Sequence, residues 1–255
     1  MAQEITKPAS TAVAGLDYSK YAGAGTEQAS AGDYAIPFLS VLQKLSPQCD
    51  ENNLLFLEGA KAGMILETAT GRLFDGKEGI NVIPCYFRKD LVEWKPREGG
   101  GGFVKSHGWN EELLSTCVRN DRGQAILPNG HILVDTKYHY VLVMQPEGPI
   151  QAVIGMTSTQ LKKSRKWLSM IQMRKMASVQ GMSFIPPSFA YAYKLTTGPE
   201  SNEKGNWYGW QLENGPLVDV IEIAKMAISF HHAVAAGNVK VGDPDAALKD
   251  ADIPF

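Results

Sequence analysis

Residues 138–156, YHYVLVMQPEGPIQAVIGM, decide the fold class of this chain. Two runs rich in β-branched and aromatic residues, 138–145 and 151–156, flank the tetrapeptide PEGP. Such runs favour β-strands, and proline and glycine between them favour a tight turn. The stretch therefore predicts two neighbouring strands joined by a short connection.

Further strand-like runs lie on both sides of this pair. Residues 80–88 (INVIPCYFR) precede it. Residues 188–197 and 207–213 follow it, and we expect them to pair across the polar loop 198–206.

Two helices are predicted from capping residues and apolar spacing. The first covers about residues 157–179, because its opening segment TST offers hydroxyl groups that can accept hydrogen bonds from free backbone N–H groups. The second covers about residues 216–236, with Pro216 in its first turn.

The order of these elements indicates the architecture. A five-stranded Greek-key barrel of the oligonucleotide-binding (OB) type places one helix between its third and fourth strands. We therefore expect a mainly β chain with α-helices (α+β), built as an OB barrel with added helices and disordered termini.

Composition divides the chain into three parts. Residues 1–33 are rich in Ala, Gly, Ser and Thr and bury too little apolar surface to offset their ordering entropy, which predicts disorder. Residues 34–236 carry the strand and helix patterns and form the expected OB-like domain. Residues 237–255 hold two lysines and four aspartates, which account for the whole formal net charge of −2 and predict a flexible acidic tail.

Composition also excludes several classes of protein. Of the 255 residues 44% are apolar, which suffices for a sizeable core, but no apolar run approaches the ~20 residues that a membrane helix needs. Cys49, Cys85 and Cys117 are odd in number and far apart, and the N-terminus lacks a secretory pattern. We therefore expect a protein of the reducing cytoplasm with no membrane partner.

The first predicted helix carries six cationic residues and no acidic residue. At about 100° per residue, Leu161, Trp167 and Ile171 fall on one side of it. Roughly opposite lie Lys162, Lys163, Lys166 and Arg174. A solvated face usually mixes charges, so this face predicts an anionic partner, either nucleic acid or an acidic tail of the same protein.

Aromatic and cationic residues alternate along the predicted strands. Single-stranded nucleic acid is bound by aromatic faces that stack on bases and by cations that follow the phosphates. Alternation places Phe87 opposite Tyr86 and Arg88, so we expect Phe87 in the core, together with Phe189. The candidate contacts in these runs are Tyr86, Arg88, Lys89, Trp94, Lys95, Arg97, Lys105, Trp109, Tyr191, Lys194, Trp207, Tyr208 and Trp210.

Other chemistries have little support in the sequence. Residues 71–78 have the spacing of a phosphate-binding loop, but Glu78 stands where a Ser or Thr hydroxyl should bind magnesium. No Cys-x-x-Cys occurs, and the histidines show no ligand spacing. We therefore expect no catalytic residues, no metal and no cofactor.

The chain ends Asp250-Ala251-Asp252-Ile253-Pro254-Phe255. An apolar, proline-stiffened tip on an acidic tether suits a pocket on another protein. This ending resembles the tip of bacterial single-stranded DNA-binding proteins, Asp-Asp-Asp-Ile-Pro-Phe, with five of six residues identical and Ala251 as the departure. The length and layout of the chain look more like those of phage-encoded single-stranded DNA-binding proteins.

The resemblance implies a function and a role for each tip residue. Phe255 would enter an apolar pocket on a host or phage protein of replication, recombination or repair, flanked by Ile253 and Pro254. Asp250 and Asp252 would add electrostatic steering. The OB-like domain would bind single-stranded DNA without sequence preference, in the cytoplasm of the bacterial host.

Three other functions remain open at this stage, and so does assembly into a homo-oligomer. A strand-annealing recombination protein would accelerate pairing of complementary strands. A nuclease or nucleic-acid-modifying enzyme would turn over DNA in the presence of metal. A tip-only adaptor that inhibits host replication proteins would have no affinity for DNA.

Overall fold

The computed structural model describes residues 12–13, 16–29, 33–96, 98, 101–203 and 205–241. Much of the expected disordered N-terminal segment and most of the expected acidic tail lie outside these residues. The tip lies outside them entirely, with Asp250, Asp252, Ile253, Pro254 and Phe255.

Strands dominate the described part of the chain, which confirms a mainly β fold with some helices. The strands are β1 (Ala12–Val13), β2 (Leu16–Asp17), β3 (Ala35–Ile36), β4 (Leu39–Val41), β5 (Ile65–Glu67), β6 (Leu73–Phe74), β7 (Ile80–Trp94), β8 (Phe103–Ser106), β9 (Val118–Arg119), β10 (Ala125–Ile126), β11 (Ile132–Met144), β12 (Ile150–Thr157), β13 (Met176–Ala177), β14 (Ser183–Phe184), β15 (Tyr191–Asn202), β16 (Gly205–Leu217) and β17 (Lys240–Val241). The helices are α1 (Glu111–Ser115), α2 (Leu161–Gln172) and α3 (Ile221–Ala235). Short 3-10 turns cover Tyr18–Tyr21, Pro47–Cys49, Ser158–Gln160 and Ser188–Ala190.

The main sheet has eight antiparallel strands and curls into a half-barrel. Its central strands lie in the order β16, β15, β7, β11 and β12, while β8 pairs with β7 and β10 with β11. The fourth of these strands along the chain, β15, returns to lie beside the first, β7, which is the spatial order of a Greek key. The expected closed barrel is not observed, because no ladder joins β12 to β16 in the described residues.

The gap between β12 and β16 is spanned by an N-terminal segment, residues 37–43. At one end the backbone N–H of Val153 on β12 donates to the carbonyl oxygen of Pro37, at 2.9 Å. At the other end the side-chain amide of Gln43 bonds both backbone groups of Tyr208 on β16, at 2.8 and 2.9 Å. The open side of the half-barrel is therefore bridged by this segment rather than by a strand ladder.

The two faces of the curled sheet pack against different helices. On the inner face, Trp167 of α2 lies in the core with Val141 and Ile154. On the outer face, Phe230 of α3 packs against the core that contains Tyr140. The helix between the third and fourth strands and the later helix therefore cover opposite sides of β11.

Several boundaries differ from those predicted by the sequence. The expected loop 198–206 is mostly strand, because β15 continues to Asn202 and β16 begins at Gly205, and Glu200 pairs with Trp207. β7 continues to Trp94, and Tyr140 pairs with Tyr86 while Val141 pairs with Pro84, so Cys85 is the extra residue of a bulge. The 216–236 helix begins only at Ile221, because β16 continues to Leu217 as an edge strand where a proline is tolerated.

The first helix is shorter than predicted, since α2 begins at Leu161 and ends at Gln172. Residues 158–160 form a 3-10 turn, and the expected hydroxyl cap is not formed at the start of this turn or of α2. The chain then forms the hairpin β13–β14, with N–H groups of Gly181 and Met182 donating to Ser178. Gly181 has a φ of +79°, a left-handed conformation that glycine adopts without strain and that the turn of this hairpin requires.

Candidate nucleic-acid interface

Helix α2 is held on the half-barrel by one face. Trp167 and Ser164, three positions apart and therefore on the same side of the helix, are both buried. The ring of Trp167 stacks on His139 of β11, and His139 Nε2 lies 2.8 Å from Ser164 Oγ. The opposite face of α2 is consequently directed away from the sheet.

That free face is cationic. Lys162 and Lys166, which the sequence predicted as contacts, are exposed, and so is Arg165, which was not among the predicted contacts. The chain contains no aspartate or glutamate from residue 148 to residue 199. Phosphate groups could approach this face without meeting a carboxylate of α2 or of the strand before it.

Two of the predicted cations of this region bind within the protein. Lys163 forms an ion pair with Glu200 of β15, and Trp207 Nε1 donates to the same carboxylate. Burial alone would raise the pKa of Glu200, but these partners outweigh it and hold the pKa below its ordinary value. Lys163 therefore fixes α2 to the β15–β16 hairpin.

Arg174 likewise has partners inside the protein. Its guanidinium lies 4.3 Å from the ring centre of Tyr191, and its Nη2 donates to the carbonyl oxygen of Gly215 at 3.0 Å. This contact covers the ring of Tyr191, which is half-buried. Arg174 and Tyr191 thus join the segment after α2 to β15 and β16.

Trp109 forms the most distinctive cluster of the sheet. Its half-buried indole lies close to two ammonium groups, with Lys89 Nζ 4.5 Å and Lys137 Nζ 4.2 Å from the ring centre. Lys137 also contacts Asp135. Lys137 was not among the contacts predicted from the sequence. It is paired with Lys89 across the two strands, so the two side chains lie on the same face of the sheet.

Trp109 and α2 lie on the same face of the sheet. Lys137 is paired with Lys89, and two residues further on His139 is paired with Phe87. Alternation along the strands puts these four side chains on one face, and His139 stacks on Trp167 of α2. Helix α2 and the Trp109 cluster therefore lie on one face of the half-barrel, and Lys162 and Lys166 project from the side of α2 that is turned away from the sheet.

Tyr86 and Arg88 occupy the opposite face. The ring of Tyr86 packs against Tyr140 and against His231 of α3. The guanidinium of Arg88 lies 5.4 Å from the ring centre of Tyr138 and 3.3 Å from Asp90. The structure therefore divides the predicted contacts between two faces of the sheet, and α3 covers part of the outer one.

The remaining predicted contacts are dispersed. Lys95 and Lys105 are exposed near the β7–β8 connection, where the half-buried Trp94 packs edge-on against Phe103. Lys194 and Tyr208 are half-buried, whereas Trp207 and Trp210 are buried and present no free ring face. Arg97 lies outside the described residues.

The described residues were also compared with the patterns of metal sites and of membrane helices. Within them, no group of three or more His, Cys, Asp or Glu side chains is arranged to hold a metal ion. None of the helices in this part of the chain has the length and apolarity needed to cross a bilayer.

Comparison with known proteins places the chain in a group. No curated protein and no solved structure matches it. A family model described as Pam3 phage gp34-like protein matches residues 6–240, which is most of the chain. The chain therefore belongs to the Pam3 phage gp34-like protein family, a family of bacteriophage proteins.

Proposed function

We propose that the protein binds single-stranded DNA without sequence preference during phage DNA replication, recombination or repair, and that it does so without catalysis. The observation that carries this proposal is the side of the half-barrel that bears both α2 and Trp109. It combines exposed cations, Lys162 and Lys166, with an aromatic ring that contacts Lys89 and Lys137.

The chemistry of this surface fits a single strand better than a duplex. Cations that follow a phosphate backbone supply affinity independent of sequence. A ring face on the same side of the protein can stack on any base, but only where the base is free of its partner strand. Trp109 would supply such a face.

The arrangement of strands gives the proposal independent support. Strands β7, β11 and β12, helix α2 and strands β15 and β16 follow one another in the order expected of an OB barrel. We infer that the half-barrel is a variant of this fold in which residues 37–43 span the side that a closed barrel would seal. OB barrels commonly bind oligonucleotides, so the inference points to the same ligand class.

The C-terminal hexapeptide supports a second part of the proposal, the recruitment of host or phage proteins. Its Ile-Pro-Phe ending matches the tips to which such proteins bind in bacterial single-stranded DNA-binding proteins. A tip-only adaptor is the alternative function, because the tip could act without any DNA affinity.

The test is a titration of the untagged protein with oligo-dT and with duplex DNA, followed by tryptophan fluorescence at several salt concentrations. We expect preference for the single strand, fluorescence quenching, affinity that falls with salt, and recovery of the DNA unchanged. A variant carrying K162Q and K166Q should bind more weakly with a shallower salt dependence, since each lost phosphate contact reduces the slope of log K against log[salt] by about 0.7.

The matched control carries K77Q and K225Q, two exposed lysines that lie close to Asp75 and Glu222 respectively. It should bind oligo-dT like the wild type. Absence of any DNA binding by the wild type would overturn the proposal and leave the adaptor function. Removal of Phe255 should leave DNA binding intact and abolish binding of defined host replication and repair proteins.

A further inference from the structure

The hairpin β13–β14 exposes apolar side chains that no described element covers. Its strands pair only with each other among the described residues. Val179 is 108% exposed and Met182 63%, and Phe184 is exposed as well; Met173, just before the hairpin, is 79% exposed. Exposure of this kind, concentrated in one hairpin, indicates an interaction surface.

The hairpin is nevertheless fixed at its base. It follows α2 directly, and Arg174 between them packs on Tyr191 and donates to the carbonyl oxygen of Gly215. Its turn is closed by the N–H groups of Gly181 and Met182, which both donate to Ser178. The apolar side chains therefore lie on a hairpin that has a fixed position beside helix α2.

The charge around the β13–β14 hairpin indicates which kind of partner fits its apolar side chains. The hairpin lies in the stretch from residue 148 to residue 199 that contains no acid, and Lys175 at its start is exposed. A second apolar exposed segment, around Leu54 and Leu55, lies instead between acidic residues, Asp50 and Glu51 before it and Glu58 after it. Of these two segments, the hairpin is the one that combines apolar surface with a positive surrounding.

We propose that the β13–β14 hairpin contacts the bases of the single strand whose phosphates α2 binds, with Val179 and Met182 packing on base faces. This inference rests on the proposed function and adds residues of the hairpin to the same DNA-binding site. An unpaired strand presents both chemistries at once, anionic phosphates and apolar base faces, and apolar side chains are known to pack on or between bases.

The test distinguishes contacts with phosphates from contacts with bases by their salt dependence. Phosphate contacts set the slope of log K against log[salt], whereas contacts with bases change log K by the same amount at every salt concentration. A V179S/M182Q variant should bind oligo-dT roughly tenfold more weakly across the whole salt range, with an unchanged slope, because it replaces apolar groups that would be buried against the bases by polar ones. The matched control, L54S/L55Q, changes two exposed apolar residues in the acidic segment and should bind like the wild type.

Four outcomes can be told apart. A parallel downward shift for the hairpin variant alone supports the proposal, and thermal unfolding like that of the wild type shows that its fold is intact. Unchanged binding overturns the proposal. Weakened binding to long strands with unchanged binding to a short oligonucleotide also overturns it, because the hairpin would then contact a second copy of the chain. Failure of the wild type itself to bind oligo-dT would instead overturn the proposed function, and the assignment of the hairpin with it.

Discussion

The imidazole of His139 on β11 stacks on the indole of Trp167 on α2, with ring centroids 4.5 Å apart and planes inclined by 18°. Both side chains are buried, and Ser164 gives His139 its hydrogen-bond partner. This stack fixes α2, and the cations on its free face, at a defined position on the half-barrel.

Stability should depend on pH through His139. Burial lowers its pKa to about 3 in the folded protein, so the imidazole is neutral there, whereas it takes up a proton near pH 6.5 when the chain unfolds. The unfolded state then binds more protons, and stability is lost as pH falls from 6.5 towards 3. Between pH 7 and pH 5 we expect a loss of about 2 kcal/mol from this group, measured by urea unfolding.

An H139F/S164A variant is the control for that measurement, because it keeps a ring beside Trp167 and leaves no hydroxyl without a partner. Its stability should fall by about 2 kcal/mol less than that of the wild type over the same interval. Equal losses in the two proteins would show that His139 does not remain neutral in the folded state.

Trp109 should contribute directly to DNA affinity. We expect W109A to weaken oligo-dT binding by ~1–3 kcal/mol and to remove most of the fluorescence quenching, since Trp167, Trp207 and Trp210 are buried and Trp94 packs against Phe103. W109F keeps an aromatic face and should retain most of the affinity. Wild-type affinity in W109A would exclude stacking at this position.

Glu93 should be important for stability. Its buried carboxylate accepts hydrogen bonds from His107 at 2.7 Å, His131 at 2.6 Å and Asn129 at 3.0 Å, and so joins β7 to the segments after β8 and before β11. Burial alone would raise the pKa of Glu93, but these hydrogen bonds outweigh it and lower the pKa to about 2.

We expect E93Q to lower the free energy of unfolding by roughly 2–3 kcal/mol, because the amide cannot accept all three hydrogen bonds and leaves a buried donor without a partner. The control is E222Q, which breaks an exposed i,i+3 pair with Lys225 and should change stability by less than about 0.5 kcal/mol. Similar effects of the two substitutions in urea unfolding would contradict this account.

Gly79 should not tolerate a side chain, because it packs against β15. It has a φ of +71°, and a Cβ there would lie 2.2 Å from the backbone oxygen of Leu195. Gly130 has a similar φ of +83° with open space around it. We expect G130A to destabilise by about 1 kcal/mol through backbone strain alone, and G79A by roughly 2–4 kcal/mol because the clash adds to the strain. Equal unfolding midpoints for the two variants would argue against the close approach.

The strands and their order could be predicted from the sequence, since β11 and β12 are marked by β-branched runs around PEGP and β7 by a similar run. The half-barrel could not be predicted in this way. The segment that spans its open side contacts β16 through the side-chain amide of Gln43, and the partner of this amide, Tyr208, lies 165 residues away in the sequence. Such a contact leaves no local pattern.

The candidate site could be predicted only where its residues are related by local spacing in the sequence. Residues within α2 are related by helical spacing, and this relation identified Lys162 and Lys166. The pairing of Trp109 with Lys137 depends on the position of α1 relative to β11, which sequence spacing does not contain. Burial of Trp207 and Trp210 likewise follows from packing across the half-barrel, whereas their sequence environment is equally compatible with exposure.

The segment 37–43 has a consequence for the solution behaviour of the protein. It occupies the free edge of β12 through Pro37 and lies against the backbone of β16 through Gln43. Unpaired strand edges act as templates for pairing with other chains. Cleavage that released this segment would uncover two edges of the same sheet at once, and we expect the remaining chain to aggregate edge to edge rather than merely to lose stability.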